Sequence, residues 1–318
     1  MPRAASQALA HHTDRKTRTP RGAARAGGAI LASVLAFTAI GGPGTARAAD
    51  AGAARSGGAY VALGDSYAAG AGVPDQSGGL CMRSSKNYGH LVAAAVGPSA
   101  YRDVTCAGAK VAALTTTHTD AGIPVNGPQL DAISADTDLV TLTIGGNDIG
   151  TSDLGFVDVV AVCSALSLTN PLGAPCRDSY NAGGTDILKQ RLDAAAVRLG
   201  DAIRRIRAEA PHAKVLLVGY PTVIDSDPVK CLGKLTVTLK DTAYLHGILA
   251  YLQALLARTA AADEATFVDT TAVTEGHDAC SADPWVEGLL PKSPALPLHP
   301  NARGERVMAD AVLQAIGR

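Results

Sequence analysis

A serine stands directly after an apolar run, in the tetrapeptide Gly64-Asp65-Ser66-Tyr67. The run at residues 59–63 predicts a buried strand, and the glycine permits a tight turn behind it, which would expose the Ser66 hydroxyl. Such a hydroxyl can attack a carbonyl carbon when a base takes its proton. Ala68 stands where a GxSxG nucleophile elbow requires glycine, and a serine that only caps the next helix is the alternative interpretation.

Two further turns contain candidate hydrogen-bond donors for an oxyanion. Asn147, in Gly145-Gly146-Asn147-Asp148, follows a predicted strand and could donate its side-chain N–H, a contribution of about 3 kcal/mol at a transition state. Gly108, in Cys106-Ala107-Gly108-Ala109, could present its backbone N–H to the same oxygen. The alternatives are an ordinary turn at Asn147 and an ordinary loop glycine at Gly108.

A candidate base lies close to the carboxyl terminus. His299 follows Pro297 and immediately precedes the last predicted helix, a position from which a base can reach a serine at the same end of a sheet. We interpret most of the other histidines beyond residue 48 as surface or packing residues; these histidines are His90, His118, His212, His246 and His277.

The elements that must position these residues alternate along the chain. Strands are predicted at residues 59–63, 101–106, 139–144, 215–218 and 267–268. Helices are predicted at 186–210, ended by Pro211, at 241–262 with Asp241 as N-cap, and from Pro300 onward. This alternation favours a single domain with a parallel sheet covered on both faces, whose active site lies at the carboxyl ends of the strands.

The first 48 residues differ from the rest of the chain. A basic stretch is followed by an apolar run at residues 29–40 and by Ala46-Arg47-Ala48, which predicts a signal peptide at 1–48 and a mature domain at 49–318. The apolar run is shorter than the roughly 20 residues of a membrane span. The remaining chain is negatively charged, which gives no electrostatic attraction to nucleic acid.

The cysteines all follow the predicted cleavage site, and their even number behind a signal peptide indicates three disulfides without fixing their connectivity. A zinc site is disfavoured because no CxxC pair occurs. The cysteines are Cys81, Cys106, Cys163, Cys176, Cys231 and Cys280.

The four candidate residues together resemble the sequence blocks of the SGNH/GDSL hydrolases, as Ser66 in GDSY, Gly108 in CAGA, Asn147 in GGND and His299 in LHPN. The resemblance covers essentially the whole predicted mature chain and is strongest to the secreted three-disulfide bacterial esterases and lipases, which share the GDSYAAG opening. It implies an α/β fold, a three-layer α/β/α sandwich with a flavodoxin-like parallel sheet of about five strands. It further implies no cofactor and the disulfide pairs Cys81–Cys106, Cys163–Cys176 and Cys231–Cys280.

The chain departs from the common family pattern at one position. Many members have an aspartate three residues before the histidine, where this chain has Leu296. Some secreted members use a main-chain carbonyl in its place, so we expect the Leu296 carbonyl to orient His299. A more distant acid, Asp283 or Asp278, is the alternative.

The resemblance implies a serine carboxylic-ester hydrolase, a lipase or esterase. Ser66 would attack, His299 would be its base, and the N–H groups of Ser66 and Gly108 with the Asn147 side chain would form the oxyanion hole. We expect a small-molecule or lipid ester as substrate, no metal, no nucleic acid, no stable membrane insertion and a monomer. The alternatives are a polysaccharide deacetylase, a phospholipase and an inactive binding protein on the same scaffold.

Three long loops, at residues 150–185, 221–240 and 271–298, are predicted to shape the pocket. The first is rich in apolar residues, which indicates either an acyl-chain site or an ordinary buried helix.

Overall fold

The computed structural model describes residues 57–152 and 154–318. The predicted signal peptide and its cleavage site lie outside these residues. The centre of the fold is a parallel sheet of five strands in the order β2-β1-β5-β6-β7. Its strands are β1 (Ala59–Gly64), β2 (Tyr101–Asp103), β5 (Thr137–Thr143), β6 (Lys214–Val218) and β7 (Thr266–Val268). An antiparallel hairpin lies apart from the sheet and comprises β3 (His118–Asp120) and β4 (Ile123–Asn126).

Helices connect the strands and cover the sheet. They are α1 (Ser66–Ala69), α2 (Tyr88–Val96), α3 (Phe156–Ser167), α4 (Pro175–Tyr180), α5 (Ile187–Glu209), α6 (Leu239–Ala262), α7 (Thr271–Thr274) and α8 (Ala302–Ala315). Short 3₁₀ turns occupy Val111–Leu114, Gln129–Ala132, Gly146–Ile149 and Pro228–Cys231. No helix in the described part of the chain is long and apolar enough to cross a bilayer.

The pleat of β1 sends its side chains into two separate cores. Tyr60 and Ala62 pack with residues of α2 and α8 on one face of the sheet. Val61 and Leu63 pack with residues of α5 and α6 on the other face. These two helix layers around a parallel sheet confirm the predicted three-layer α/β fold.

The strands agree with the sequence prediction more closely than the helix ends do. Helix α6 begins at Leu239, because the Thr238 hydroxyl accepts a hydrogen bond from the N–H of Asp241 and is the N-cap. The prediction of Asp241 as N-cap is therefore wrong. Helix α8 begins at Ala302 with Asn301 as N-cap, and Pro300 lies outside the first turn where it was predicted.

The remaining differences concern two connections. The second strand ends at Asp103 and not at Cys106, although the N–H groups of Val104 and Cys106 still donate to the Ala62 and Gly64 carbonyls of β1, each at 3.0 Å. Residues 150–185, predicted as a loop, contain α3 and α4. The buried face of α3 includes Phe156, Val159 and Val160, so the apolar residues of this region are largely core.

Three disulfides join Cys81 to Cys106, Cys163 to Cys176 and Cys231 to Cys280. The pairing implied by the resemblance is thereby confirmed. The Cys81–Cys106 bond fixes the loop after β2, and the Cys231–Cys280 bond ties the connection after β6 to the carboxyl-terminal loop.

Candidate active site

Strand β1 places Ser66 at the carboxyl end of the sheet. All six residues of β1 are buried, and Ser66 begins the short helix α1 immediately after the turn. Asp65 is the N-cap of α1, because its carboxylate accepts a hydrogen bond from the N–H of Tyr67 at 2.9 Å. As the first residue of α1, Ser66 has a backbone N–H that no intrahelical carbonyl accepts.

The structure brings Ser66 and His299 into contact across 233 positions of sequence. The His299 Nε2 atom lies 2.7 Å from the Ser66 Oγ atom. Its Nδ1 atom lies 2.8 Å from the carbonyl oxygen of Pro297. A carbonyl oxygen only accepts, so Nδ1 is the protonated nitrogen and Nε2 offers its lone pair to the serine.

The prediction that the Leu296 carbonyl orients His299 is wrong by one residue. The Leu296 carbonyl instead accepts the backbone N–H of His299 at 3.2 Å, which turns the chain so that the Pro297 carbonyl meets the ring. The two alternative acids bind elsewhere. Asp283 pairs with Arg303 at 2.6 Å, and Asp278 accepts the N–H of Cys280 at 2.8 Å.

Burial lowers the pKa of His299 to about 4, and the hydrogen bond to the Pro297 carbonyl opposes this shift only in part. The imidazole is therefore neutral at pH 7 and can accept a proton. A carbonyl stabilises the imidazolium less than a carboxylate does, because it has no net charge.

The backbone immediately before His299 is strained. Leu298 has a φ of 61°, a left-handed conformation that costs a residue with a side chain roughly 1–3 kcal/mol. Its carbonyl accepts a hydrogen bond from the Tyr67 hydroxyl, and its N–H donates to the Glu287 carbonyl at 3.1 Å. The Tyr67 ring also packs against the His299 ring, with the ring centres 4.7 Å apart. The helix that begins with the serine thus supports the segment that contains the histidine.

Strand β5 places Asn147 beside the serine. The Asn147 Nδ2 atom donates one hydrogen to the Ala109 carbonyl at 3.0 Å, which leaves its second hydrogen for a ligand. The neighbouring Asp148 accepts the N–H of Val111 at 2.9 Å, so this turn is bound to the loop that contains Gly108. Gly155 packs directly on Asn147, since a Cβ atom at that position would lie 2.1 Å from the Asn147 Oδ1 atom.

Gly108 lies in the loop after β2 with a φ of 78°, a conformation that favours glycine. The loop is held on both sides, because the adjacent Cys106 is bonded to Cys81 and the Ala107 N–H donates to the Cys81 carbonyl at 3.0 Å. All four residues singled out in the sequence line one cavity of about 370 Å³, namely Ser66, Gly108, Asn147 and His299.

A buried network that the sequence did not predict joins the turn after β1 to the turn after β5. The Tyr220 hydroxyl donates to the Asp65 Oδ2 atom at 2.5 Å and accepts the N–H of Gly146 at 2.8 Å. Burial raises the pKa of Asp65 to about 7, although the hydrogen bond from Tyr220 opposes this. Tyr220 follows β6, so the rule that chemistry gathers at strand ends could have identified it, but its partners could not be read from the sequence.

One cluster of metal-ligating residue types occurs in the described part of the chain, formed by Cys231, Asp278 and Cys280. Its two sulfur atoms are joined in a disulfide and are not available as thiolate ligands. The cluster is therefore a structural feature of the carboxyl-terminal loop.

The chain is similar to known proteins over most of its length. Residues 62–307 match the model of the GDSL-like Lipase/Acylhydrolase family. The chain is 42% identical to Lipase 2 of Streptomyces coelicolor over 265 residues, which are 81% of this chain and 85% of that protein.

Two solved structures are also similar. The crystal structure of phospholipase A1 from Streptomyces albidoflavus NA297 has a TM-score of 0.67 and 30% identity, covering 81% of this chain and 99% of that one. The extracellular lipase of Streptomyces rimosus has a TM-score of 0.61 and 27% identity, with the same coverage of 81% and 99%. The chain therefore belongs to the GDSL-like lipase/acylhydrolase family of carboxylic-ester hydrolases.

Proposed function

We propose that this protein is a secreted lipase or esterase that cleaves acyl esters through a Ser66–His299 dyad and an acyl-enzyme intermediate. The observation that carries the proposal is the 2.7 Å contact between Ser66 Oγ and His299 Nε2, with Nδ1 of the same ring hydrogen-bonded to a backbone carbonyl. This geometry supports His299 as the base for the serine, because the hydrogen bond at Nδ1 leaves the lone pair of Nε2 directed at the hydroxyl.

In the first step, His299 takes the hydroxyl proton of Ser66 while Oγ bonds to the carbonyl carbon of the ester. The oxygen of that carbonyl becomes an oxyanion, which accepts hydrogen bonds from the N–H groups of Ser66 and Gly108 and from the free amide hydrogen of Asn147. The C–O bond to the alcohol then breaks, and His299 protonates the departing oxygen. Water, deprotonated by His299, attacks the acyl-enzyme and releases the acid by the same sequence of steps.

The cavity beside Ser66 favours an acyl chain over a sugar. Much of its wall is apolar and includes Leu80, Met82, Leu154, Val157 and Leu296. Trp, Tyr and Phe, which would stack on a sugar ring, do not occur among the described residues that line it. A fatty ester or lipid is therefore the proposed substrate class, with acyl chains of medium or greater length.

A phospholipase is the second candidate, because one similar structure is a phospholipase A1 with 30% identity. Its acyl ester would react through the same residues, so only the alcohol half of the substrate differs.

Secretion rests on the predicted signal peptide at residues 1–48 and on the three disulfides, which form and persist in oxidising compartments. We further propose that the mature chain begins after Ala48 and acts as a monomer without a metal or cofactor. Amino-terminal sequencing of the exported protein tests the cleavage site.

The test of the mechanism is hydrolysis of p-nitrophenyl esters from acetyl to long acyl chains by the wild type, Ser66→Ala and Ser99→Ala. Ser99 is an exposed serine and serves as the matched control. We expect Ser66→Ala to lose turnover and labelling by a fluorophosphonate probe while its thermal unfolding is unchanged. Near-wild-type turnover in Ser66→Ala would refute the dyad.

The chain-length profile tests the substrate class separately. A rate maximum at medium or long chains supports the lipase proposal. If the protein also hydrolyses phosphatidylcholine, a phospholipase is favoured. A maximum at acetyl would indicate a short-chain or carbohydrate esterase with the same dyad.

A further inference from the structure

His118 has no role in the mechanism above, yet it lies on the wall of the Ser66 cavity. It is the first residue of β3 in the hairpin outside the main sheet, and only 7% of it is exposed. Its Nε2 atom lies 3.1 Å from the carbonyl oxygen of Ala107. Since that oxygen only accepts, the imidazole donates a hydrogen bond to it.

The accepting carbonyl and the Gly108 N–H belong to the same peptide group. The group is planar, so a hydrogen bond at its oxygen fixes the direction in which its N–H points. A donor at the oxygen also polarises the amide and strengthens the hydrogen bond that the N–H can make. His118 thus acts on the opposite end of the peptide group whose N–H is the proposed oxyanion donor.

The hairpin is itself anchored to this loop by a second side chain. Asn126 is the register partner of His118, and its Nδ2 atom donates to the Val104 carbonyl at 3.0 Å. The Asn126 Oδ1 atom accepts from Arg83 at 2.8 Å. The two residues at the base of the hairpin therefore hold the Gly108 loop at two points, one of which is the Ala107–Gly108 peptide group.

We propose that His118 is a positioning residue for the oxyanion hole, which orients and polarises the Ala107–Gly108 peptide so that the Gly108 N–H meets the developing negative charge. The inference rests on the proposed function, because it requires Gly108 to be an oxyanion donor. A residue in this role strengthens binding of the transition state and leaves binding of the ground-state ester unchanged.

The test compares His118→Leu, which removes the donor, with His118→Gln, whose amide nitrogen can reach a position similar to that of Nε2. For p-nitrophenyl butyrate we expect His118→Leu to lower kcat about tenfold with little change in KM, since the N–H remains and only its orientation and polarity are lost. His118→Gln should recover kcat to within about threefold of the wild type. His212→Leu, at an exposed histidine, is the matched control and should behave as wild type.

An alkylboronic acid adds a second readout. Its boron bonds to Ser66 Oγ, the serine proton passes to His299, and the resulting tetrahedral boronate places an oxygen where the oxyanion forms. Its inhibition constant should rise in His118→Leu by the same factor as kcat falls, because only a tetrahedral adduct uses the Gly108 N–H. A purely structural or substrate-binding role would not produce this parallel change.

The inference is overturned if His118→Leu keeps kcat and boronate affinity within twofold of the wild type, or if the loss is in KM and varies with the alcohol group of the ester. It is also overturned if His118→Gln is as impaired as His118→Leu while still folded by circular dichroism. Failure of the dyad is a separate result, since Ser66→Ala would then keep its turnover and the wild type would not label at Ser66.

Discussion

The nucleophile and its base lie in two regions that are built in opposite ways. Ser66 and Asn147 follow β1 and β5, which are neighbouring buried strands paired in parallel along their length. His299 lies near the end of the segment 275–301, in which the structure has no helix or strand. Individual contacts hold that segment: Glu287 exchanges backbone hydrogen bonds with His299 and Leu298 inside it, Leu296 donates to the Ala71 carbonyl at 3.1 Å, and the Cys231–Cys280 disulfide ties it to the connection after β6.

This difference separates two ways of fixing a reacting atom. A side chain at the end of a sheet strand is placed by the backbone ladder and by two packed faces, so no single contact is decisive. The histidine segment has no such ladder, and its geometry depends on individual hydrogen bonds such as that from Tyr67 to the Leu298 carbonyl. Substitutions that remove a reacting or hydrogen-bonding group at the strand ends, the sheet side, should therefore leave the fold intact. Substitutions in or against the segment 275–301, the loop side, should change activity and stability together.

The largest effect is expected on the sheet side, for Asn147→Ala. This substitution removes one proposed oxyanion donor and should lower kcat by about 10²–10³-fold with little change in KM. The measurement is steady-state hydrolysis of a p-nitrophenyl ester, and Asn170→Ala at an exposed asparagine is the control. A clear fall in the unfolding temperature of Asn147→Ala would instead mean that the substitution acts by breaking the structural hydrogen bond from Asn147 to the Ala109 carbonyl.

The pH dependence tests the loop side directly. The pKa of His299 is held at about 4 by burial, so kcat/KM should keep its value down to about pH 4 and then fall about tenfold per pH unit as the base becomes protonated. Because the pKa of His299 in the folded protein lies below the ordinary value near 6.5, folding favours the neutral ring. The contribution of the neutral His299 ring to the free energy of unfolding is therefore fully present above about pH 6.5 and is lost as the pH falls through about 4.

A pH–rate profile from pH 3.5 to 8 checks this expectation. An acid limb between about 6.5 and 7 would contradict this expectation, because the titrating group would then be either a more hydrated His299 ring or Asp65, whose pKa burial raises to about 7.

The smallest effect is expected where the two regions meet, for Tyr67→Phe. Loss of the hydroxyl leaves the Leu298 carbonyl buried without its donor, which should lower the free energy of unfolding by about 1–3 kcal/mol. Activity should fall about three- to tenfold, because His299 follows directly on the loosened residue. Urea unfolding and kcat are measured on the same preparations. Tyr251→Phe, which removes an exposed hydrogen bond to Asp193, should change neither, and unchanged stability in Tyr67→Phe would contradict the comparison.

The accuracy of the sequence predictions also differs between the sheet and the rest of the chain. Each of the five sheet strands overlaps a predicted one, because continuous apolar runs such as 59–63 and 139–144 are characteristic of buried parallel strands. The predicted starts of α6 and α8 differ from the observed ones by two residues, and the predicted N-cap of α6 by three, because Thr238 and Asn301 compete as caps with neighbours of similar chemistry. The acyl-chain and core interpretations of residues 150–185 both hold in part, since Leu154 and Val157 line the cavity while Val159 is core.

The sequence by itself determined which side chains can react, since Ser66, Asn147 and His299 lie in short motifs next to the ends of predicted strands or helices. Only the tertiary structure decided what holds them. Every residue has a carbonyl, so no sequence signal distinguishes Pro297 from Leu296 as the acceptor for His299. The contact of Tyr220 with Asp65, 155 positions away, and the contact of His118 with the Ala107 carbonyl arise from chain packing that local residue preferences do not encode.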